Sequence, residues 1–318
     1  MSLRQISMHS KIVIYSLIGI VLSSDLKGQQ NNSFDFQSDG TNGDFVTVSS
    51  NTLIQPNESM TLEAWVKPTE DPSDNSSIVS YLRLASEDEE SGFAFIYNSG
   101  KWRFVVITEG DFNVMPQLAS WPGIDIPFNG STWTHIAGTY DGTTAKIFKN
   151  GIEEENYDPP GGDTIVWVDI ATTDFYIAKY QDNNDFKGSI DEVRLWDIDK
   201  SGPEIHEAMG DSITDDPVGL IGYWNFNDNQ SNTIVDHTIN GVHGTLTNNG
   251  NGSWDTDVFD CFDMEITEGD FPFNHLSDLT ISNDSWDFEN FPGIEGNPGF
   301  INTDNGNDYT YKLTLTEP

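Results

Sequence analysis

The 318-residue sequence predicts an all-β protein whose main part is an antiparallel β-sandwich, followed by the start of a second β domain. Short runs rich in β-branched and aromatic residues recur along the chain, and turn-forming residues separate them. Helical periodicity appears only once and briefly, whereas many short strands at close spacing are typical of sandwiches. The expected organisation is a signal peptide over 1–28, the sandwich over 29–259 and an incomplete β domain over 260–318.

The predicted strands follow one another at short intervals. They span 46–48, 62–66, 78–82, 93–97, 102–107, 132–140, 145–149, 175–180 and 190–196. Asn150-Gly151 is the strongest hairpin signal, because both residues tolerate positive φ. A short helix is expected over 203–209, where a proline stands at the helix start and Glu204 in the first turn.

The N-terminus has the pattern of a secretory signal peptide. Arg4 and Lys11 precede a mostly apolar run over 12–22, which is 11 residues long. A membrane-spanning helix needs about 20 such residues, so the run predicts a cleaved signal, with cleavage near Gly28-Gln29. We therefore expect a secreted mature chain without membrane insertion; an uncleaved N-terminal anchor is the alternative.

The charge balance excludes nucleic acid as a partner. There are 52 acidic and 14 basic side chains, for a net charge of −38. Binding to phosphate backbones needs clustered Lys and Arg. A surface as anionic as this one repels phosphate groups. Nine Trp, ten Tyr and nineteen Phe also argue against a disordered acidic chain.

Four stretches resemble one family. "WTHIAGTYDGTTAKIFKNGIEE" (133–154) resembles the central hairpin of LamG-like jellyroll domains, relatives of laminin G, pentraxins and concanavalin A-like lectins and glucanases. "SDGTNGDFVTV" (38–48), "MTLEAWVKP" (60–68) and "FKGSIDEVRLWD" (186–197) resemble its opening, early inner and closing strands. The resemblance implies a concanavalin A-like jellyroll with its core at 34–200 and flanking strands at 219–256.

The C-terminal part differs in composition. "NDYTYKLTLTEP" resembles an early strand of the pre-peptidase C-terminal type of β-sandwich. So short a segment holds too little apolar surface for a whole sandwich, so a second domain cut short is expected. A disulfide partner of the single cysteine, Cys261, would then lie further downstream; a buried thiol and a pairing with another chain are the alternatives. A strap that packs on the first domain is the alternative.

No catalytic motif occurs, so no catalytic residue is predicted. The Glu-x-Asp-x-x-Glu run of sandwich-fold glucanases, the Gly-x-Ser-x-Gly elbow, His-Glu-x-x-His and the P-loop are all missing. His237 and His243 could form a zinc pair, but no third ligand supports them. A polysaccharide-active enzyme, or an accessory domain of a secreted hydrolase or peptidase, remains the alternative.

Calcium is the expected cofactor, if there is one. Asp191 shares its parity along the closing strand with Val193 and Leu195, which predicts a carboxylate that is partly in the core and needs a partner. The resemblance implies a calcium ion shared with the opening loop, which offers Asp39, Asn42 and Asp44. The alternative is that Asp191 accepts backbone N–H groups from that loop without a metal.

Two long loops are the predicted ligand-binding surfaces. The link over 109–130 carries Phe112, Trp121 and Asp125, and the link over 158–174 carries Trp167. An aromatic ring stacks on the C–H face of a sugar while a carboxylate accepts its hydroxyls, and long loops are often functional. The alternative is that these aromatics fold inward.

Together these features predict a secreted, non-catalytic binding or adhesion module. Its partner would be a glycan or an extracellular protein, bound with or without calcium. A purely structural spacer is a third possibility, expected if the loop aromatics are buried.

Overall fold

A computed structural model describes residues 32–38, 43–83, 90–109, 115–159, 162–167, 173–181, 186–211, 213, 215–227, 231–248, 250, 252–256 and 258. These belong to one compact unit, Asn31–Phe259. The predicted signal peptide, the second β domain and Cys261 lie outside the described residues and stay predictions. Across the described ranges, no helix combines the length and the apolar character needed to cross a membrane.

The described part is built almost wholly from strands. They are β1 (Ser33–Phe36), β2 (Phe45–Val48), β3 (Met60–Pro68), β4 (Ser77–Arg83), β5 (Ser91–Asn98), β6 (Lys101–Val106), β7 (Gly123–Ile124), β8 (Thr134–Tyr140), β9 (Ala145–Lys149), β10 (Ile152–Tyr157), β11 (Phe175–Ile177), β12 (Gly188–Trp196), β13 (Leu220–Trp224), β14 (Thr233–Ile234), β15 (Gly244–Thr247) and β16 (Ser253–Asp255). Two 3₁₀ turns, Thr52–Ile54 and Met115–Ser120, and one helix, α1 (Gly202–Ala208), complete the described elements.

The strands form two antiparallel sheets. Sheet I has the order β10-β9-β8-β3-β12-β1-β16, with β13 also paired to β12. Sheet II has the order β14-β15-β2-β11-β4-β5-β6-β7. Some neighbouring strands are consecutive hairpin partners, as β8, β9 and β10 are, whereas others come from distant parts of the chain, as β3 and β12 do. This is the predicted all-β antiparallel sandwich.

The core lies between the inner faces of the sheets. Leu62, Ala64 and Val66 alternate along β3 and are fully buried, and Phe93 and Phe95 do the same along β5. Residues between them point to the outer faces, because side chains alternate across a strand. The outer faces can therefore carry functional side chains that are not needed to pack the core.

Local sequence explains the hairpin and the helix. Asn150 and Gly151 have φ values of 51° and 79°, so the β9–β10 connection is the predicted two-residue turn. The carboxylate of Glu204 accepts the Ser201 backbone N–H at 2.8 Å, which satisfies one free donor at the start of α1. Ile205 of α1 packs against the outer face of sheet I.

Candidate functional site

The described part of the first predicted binding loop turns inward. Trp121 is 1% exposed and belongs to the core, and its ring lies 5.1 Å from that of Tyr157. Its neighbour Leu118 is buried as well. The prediction that Trp121 stacks on a sugar is therefore wrong for this structure, because burying the indole outweighs leaving it in a loop. Asp125 is exposed, and Phe112 lies outside the described residues.

Trp167 in the second loop also faces the core. Its ring packs against Tyr81 at 4.8 Å and Phe93 at 5.9 Å between centroids. Its Nε1 donates to the Pro56 carbonyl at 2.9 Å. This half-buried indole packs at the end of the sandwich, and its binding role stays a prediction.

Asp44 of the predicted metal set is held by the backbone. Its Oδ2 accepts the N–H groups of Gln37 at 2.9 Å and Gly252 at 2.7 Å, and its Oδ1 accepts that of Gly250 at 2.5 Å. The carboxylate is completely buried, and the positive ends of three N–H dipoles already surround it. This arrangement ties β2 to the segment before β16 and does not favour a cation.

Asp191 lies on the opposite face from the one its parity predicts. The β3–β12 register shifts between Asp191 and Arg194, and Glu192 there has a φ of 52°. This β-bulge adds one residue, so Val193 faces the core while Asp191 points outward beside Trp65. The predicted inward orientation is wrong, because parity along a strand holds only where no bulge intervenes.

The two described members of the metal set have separate hydrogen-bond partners, and the calcium site stays a prediction. Asp191 accepts the backbone N–H of Glu192 at 2.8 Å, and it shares no hydrogen-bond partner with Asp44. No group of three or more His, Cys, Asp or Glu side chains in the described ranges could hold a metal. Asp39 and Asn42 lie outside these ranges. His243 accepts the Asp236 N–H through Nδ1 at 3.1 Å, so that atom already has a structural partner.

A buried charged cluster on the outer face of sheet I was not predicted. Glu63 is completely buried; its Oε1 accepts Trp196 Nε1 at 2.7 Å and lies 3.4 Å from Lys200 Nζ. Its Oε2 lies 3.4 Å from His135 Nε2. Burial acts to raise the pKa of Glu63, but His135, Arg194 and Lys200 lower it by more, so the pKa stands well below its usual range. Burial also lowers the pKa of His135.

The helix α1 covers this cluster. Arg194 donates to the Ala208 carbonyl at 2.9 Å and to the Glu192 carboxylate at 2.6 Å. Trp65 Nε1 donates to the Met209 carbonyl at 2.7 Å. A cation and an N–H at the carbonyl end of a helix satisfy its free acceptors and complement its dipole. The carboxylates of the cluster are thus structural partners: Glu192 of Arg194, and Glu63 of Trp196 and Lys200.

The outer face of sheet II carries an aromatic surface instead. Val46 and Val48 of β2 point into the core, so Phe45 and Thr47 point outward. On β11 next to it, the outward position is Tyr176. The Phe45 and Tyr176 rings are both half-buried, with centroids 6.3 Å apart and an interplanar angle of 76°. We call this pair and the outward threonines around it the aromatic face.

Polar side chains border the aromatic face. Lys179 Nζ lies 4.0 Å from the Phe45 centroid and 5.0 Å from that of Tyr176, within cation–π range. Thr245 and Thr247 of β15 stand opposite Thr47 and Phe45, and they are exposed and half-buried. Two aromatic rings beside hydroxyl groups and an ammonium group can contact both the C–H and the O–H groups of a polar ligand.

The sequence contained one sign of this face. The alternation in Phe45-Val-Thr-Val48 and in Phe175-Tyr-Ile177 places Phe45 and Tyr176 at outward positions. The pairing of these two strands, which are far apart in the chain, could not be read from alternation.

One family model matches this chain, and several solved structures are similar to it. A family model described as the concanavalin A-like lectin/glucanases superfamily matches residues 39–206. A Bacteroides ovatus protein whose carbohydrate binding is itself only inferred is 18% identical, with a TM-score of 0.49, over 72% of this chain and 61% of that one. A heptameric SAP-like pentraxin from Limulus polyphemus is 13% identical, with a TM-score of 0.45, over 71% of this chain and 94% of that one. No curated protein sequence matches this chain.

The family match spans the region from the opening strands of the sandwich to α1. It includes the quoted central hairpin and the early inner and closing strands, in the expected order. The chain therefore belongs to the laminin G family of the concanavalin A-like lectin/glucanases superfamily.

Proposed function

We propose that this chain is a secreted, non-catalytic module that binds glycans outside the cell. The observation that carries the proposal is the aromatic face, where Phe45 and Tyr176 lie half-exposed beside Thr47 and Thr245. A pyranose ring offers C–H bonds to an aromatic ring on one side and hydroxyls at its edge. Aromatic surface with a few placed polar groups is the usual composition of such a binding site.

Three further features support the proposal. The superfamily contains lectins as well as glucanases, the N-terminal pattern is that of an exported chain, and the sequence lacks the motifs searched for catalysis. In the described part, the Glu63 carboxylate of sheet I is completely buried and has structural partners. Fold alone does not establish function, so the proposal depends on the aromatic face.

Calcium dependence of the binding is a further part of this proposal. Asp44 and Asp191 are held by different partners, while Asp39 and Asn42 lie outside the described residues. Calcium dependence is therefore a separate arm of the experiment.

The test is a glycan and polysaccharide array probed with the full chain, in calcium and again in EDTA. We expect binding to at least one glycan class, and loss of that binding in Tyr176→Ala. Phe128→Ala is the control, since Phe128 is also a half-buried aromatic but packs on Tyr97 away from this face. Binding lost in EDTA would support the calcium arm. The absence of binding in both buffers would contradict the proposal and favour a protein partner or a spacer.

A further inference from the structure

We infer that the aromatic face holds a neutral, linear glycan lying across the strands, with consecutive sugar residues over β14, β15, β2 and β11. This inference rests on the glycan binding proposed above and names the ligand class and the direction in which it binds.

The register of sheet II places four outward side chains in one row. Thr233 pairs with Thr245, Thr245 with Thr47, and Thr47 with Tyr176. Directly paired residues point to the same face of a sheet, so three threonines and a tyrosine form a line perpendicular to the strands. Three steps between strands span about 14 Å at about 4.8 Å each. One such step is close to the advance per residue of an extended hexopyranose chain.

Along this row the side chains change from exposed hydroxyl groups to a half-buried aromatic ring. The Thr233 and Thr245 side chains are exposed, whereas Thr47 and Tyr176 are half-buried. The threonine hydroxyls can donate to and accept from sugar hydroxyls, and the Tyr176 ring provides an apolar contact surface next to the Phe45 ring, over which Lys179 Nζ lies at 4.0 Å. The row ends at β11, because Ser80, the next partner of Tyr176, donates its hydroxyl to the Lys179 carbonyl at 2.6 Å.

The charge of the chain indicates a neutral ligand. With a net charge of −38, the protein repels a polyuronate or a sulfated glycan at long range. Lys179 is the cation on this face, and it forms no ion pair with a described residue. One ammonium group supplies hydrogen bonds to hydroxyls, but it does not offset a repeating anionic charge.

Native gels that contain a polysaccharide give the first test. An acidic protein of pI about 4.1 migrates readily, so retardation reports binding directly. The gels hold a neutral polymer (mixed-linkage β-glucan, xylan or glucomannan) or an anionic one (alginate). We expect retardation by a neutral polymer, and its reduction by about tenfold or more in affinity in Tyr176→Ala. Retardation by alginate alone would overturn the neutral class.

Chain length gives the second test, with oligosaccharides of one to six residues prepared from the polymer that retards the protein. We expect affinity to rise up to four residues and then level off. Thr233→Ala should remove the gain of the fourth residue and leave the disaccharide unaffected. Thr143→Ala, an exposed threonine in the turn before β9, is the control. A monosaccharide that binds as tightly as the tetramer would overturn the row of subsites.

The two proposals fail in different ways. Retention of polysaccharide binding in both Tyr176→Ala and Thr245→Ala would overturn the site but leave glycan binding intact. Lack of retardation by every polymer, with all variants folded by thermal melting, would overturn both.

Discussion

Asp191 is 4% exposed on the outer face of sheet I, where its carboxylate accepts the Glu192 backbone N–H. Burial raises the pKa of Asp191 well above its usual value of 3.8, and the Glu192 charge raises it further. A raised folded-state pKa means that the folded protein holds this proton more tightly than the unfolded chain does. Stability is therefore lost as the pH rises from about 3.9 through the folded-state pKa, so this buried carboxyl group lowers stability at neutral pH.

Asp191→Asn should consequently raise the melting temperature at pH 7, because the amide oxygen still accepts the Glu192 N–H and folding no longer has to bury or protonate an ionisable group. A gain of about 1 kcal/mol corresponds to roughly 2–4 °C in a domain of this size. The gain should shrink toward pH 4, and calorimetry from pH 4 to 8 measures it. Asp44→Asn is the matched control and should be destabilising, because one carboxylate oxygen that accepts N–H groups becomes an NH₂ donor. Destabilisation by Asp191→Asn at pH 7 would show instead that the ionised group has a partner such as a metal.

At the residue scale, the sequence identified aromatic and acidic residues of interest, but it did not show whether each side chain faces the core or the outer surface. Trp121 was expected on a loop surface, and its indole is in the core. The orientation of Asp191 depended on a bulge at Glu192, which alternation does not reveal. The orientation of a single side chain is hard to predict because tertiary contacts decide which of two faces, equivalent in sequence, is buried.

At the scale of elements, two hairpins of the same kind differ in what surrounds them. Ser99-Gly100 joins β5 to β6 and Asn150-Gly151 joins β9 to β10, with φ values of 81° and 79° at the glycines. A Cβ added at Gly100 would meet nothing within 4 Å. At Gly151 it would lie 2.5 Å from His206 Cβ and 2.8 Å from His206 Cα, on α1.

Gly100→Ala should therefore lower the free energy of unfolding by about 1–2 kcal/mol, which is the usual cost of a left-handed non-glycine residue. Gly151→Ala carries the same conformational cost and must also displace α1 from the sheet, so we expect a larger loss. Urea unfolding of the two variants measures the difference, which isolates the contact between turn and helix. Equal losses would mean that α1 docks independently of the β9–β10 turn.

Strand prediction succeeded where residue type and pairing agreed. The β-branched and aromatic runs gave β3, β5 and β12 within a few residues, and Asn150-Gly151 gave the turn that follows β9. No range was predicted for the strand β10, although the hairpin signal at Asn150-Gly151 implies one, because Glu153, Glu154 and Glu155 disfavour strands. It forms because the turn places it against β9, at an edge of sheet I where exposed charges are tolerated.

At the scale of the whole molecule, the outer faces of the two sheets differ in what they carry. Sheet I is covered by α1 and stabilised by a buried charged cluster, whereas sheet II presents the aromatic face outward. This division depends on which strands become neighbours, and sequence pattern alone does not supply that. The resemblance to the family supplied the fold, but the ligand surface had to be located from the register of β2, β11 and β15.

The net charge of −38 makes a prediction for the molecule as a whole. Repulsion among acidic side chains opposes the compact state, and salt screens it, since the Debye length falls from about 30 Å at 0.01 M to about 10 Å at 0.1 M. The melting temperature should therefore rise as sodium chloride increases over this range; chloride avoids the general stabilisation that sulfate causes. At matched ionic strength, calcium and magnesium chloride should stabilise equally if divalent cations act only by screening. Stabilisation by calcium well beyond that by magnesium would contradict a screening-only effect and indicate a calcium site, and its loss in Asp39→Ala would assign that site to the predicted set of Asp39 and Asn42.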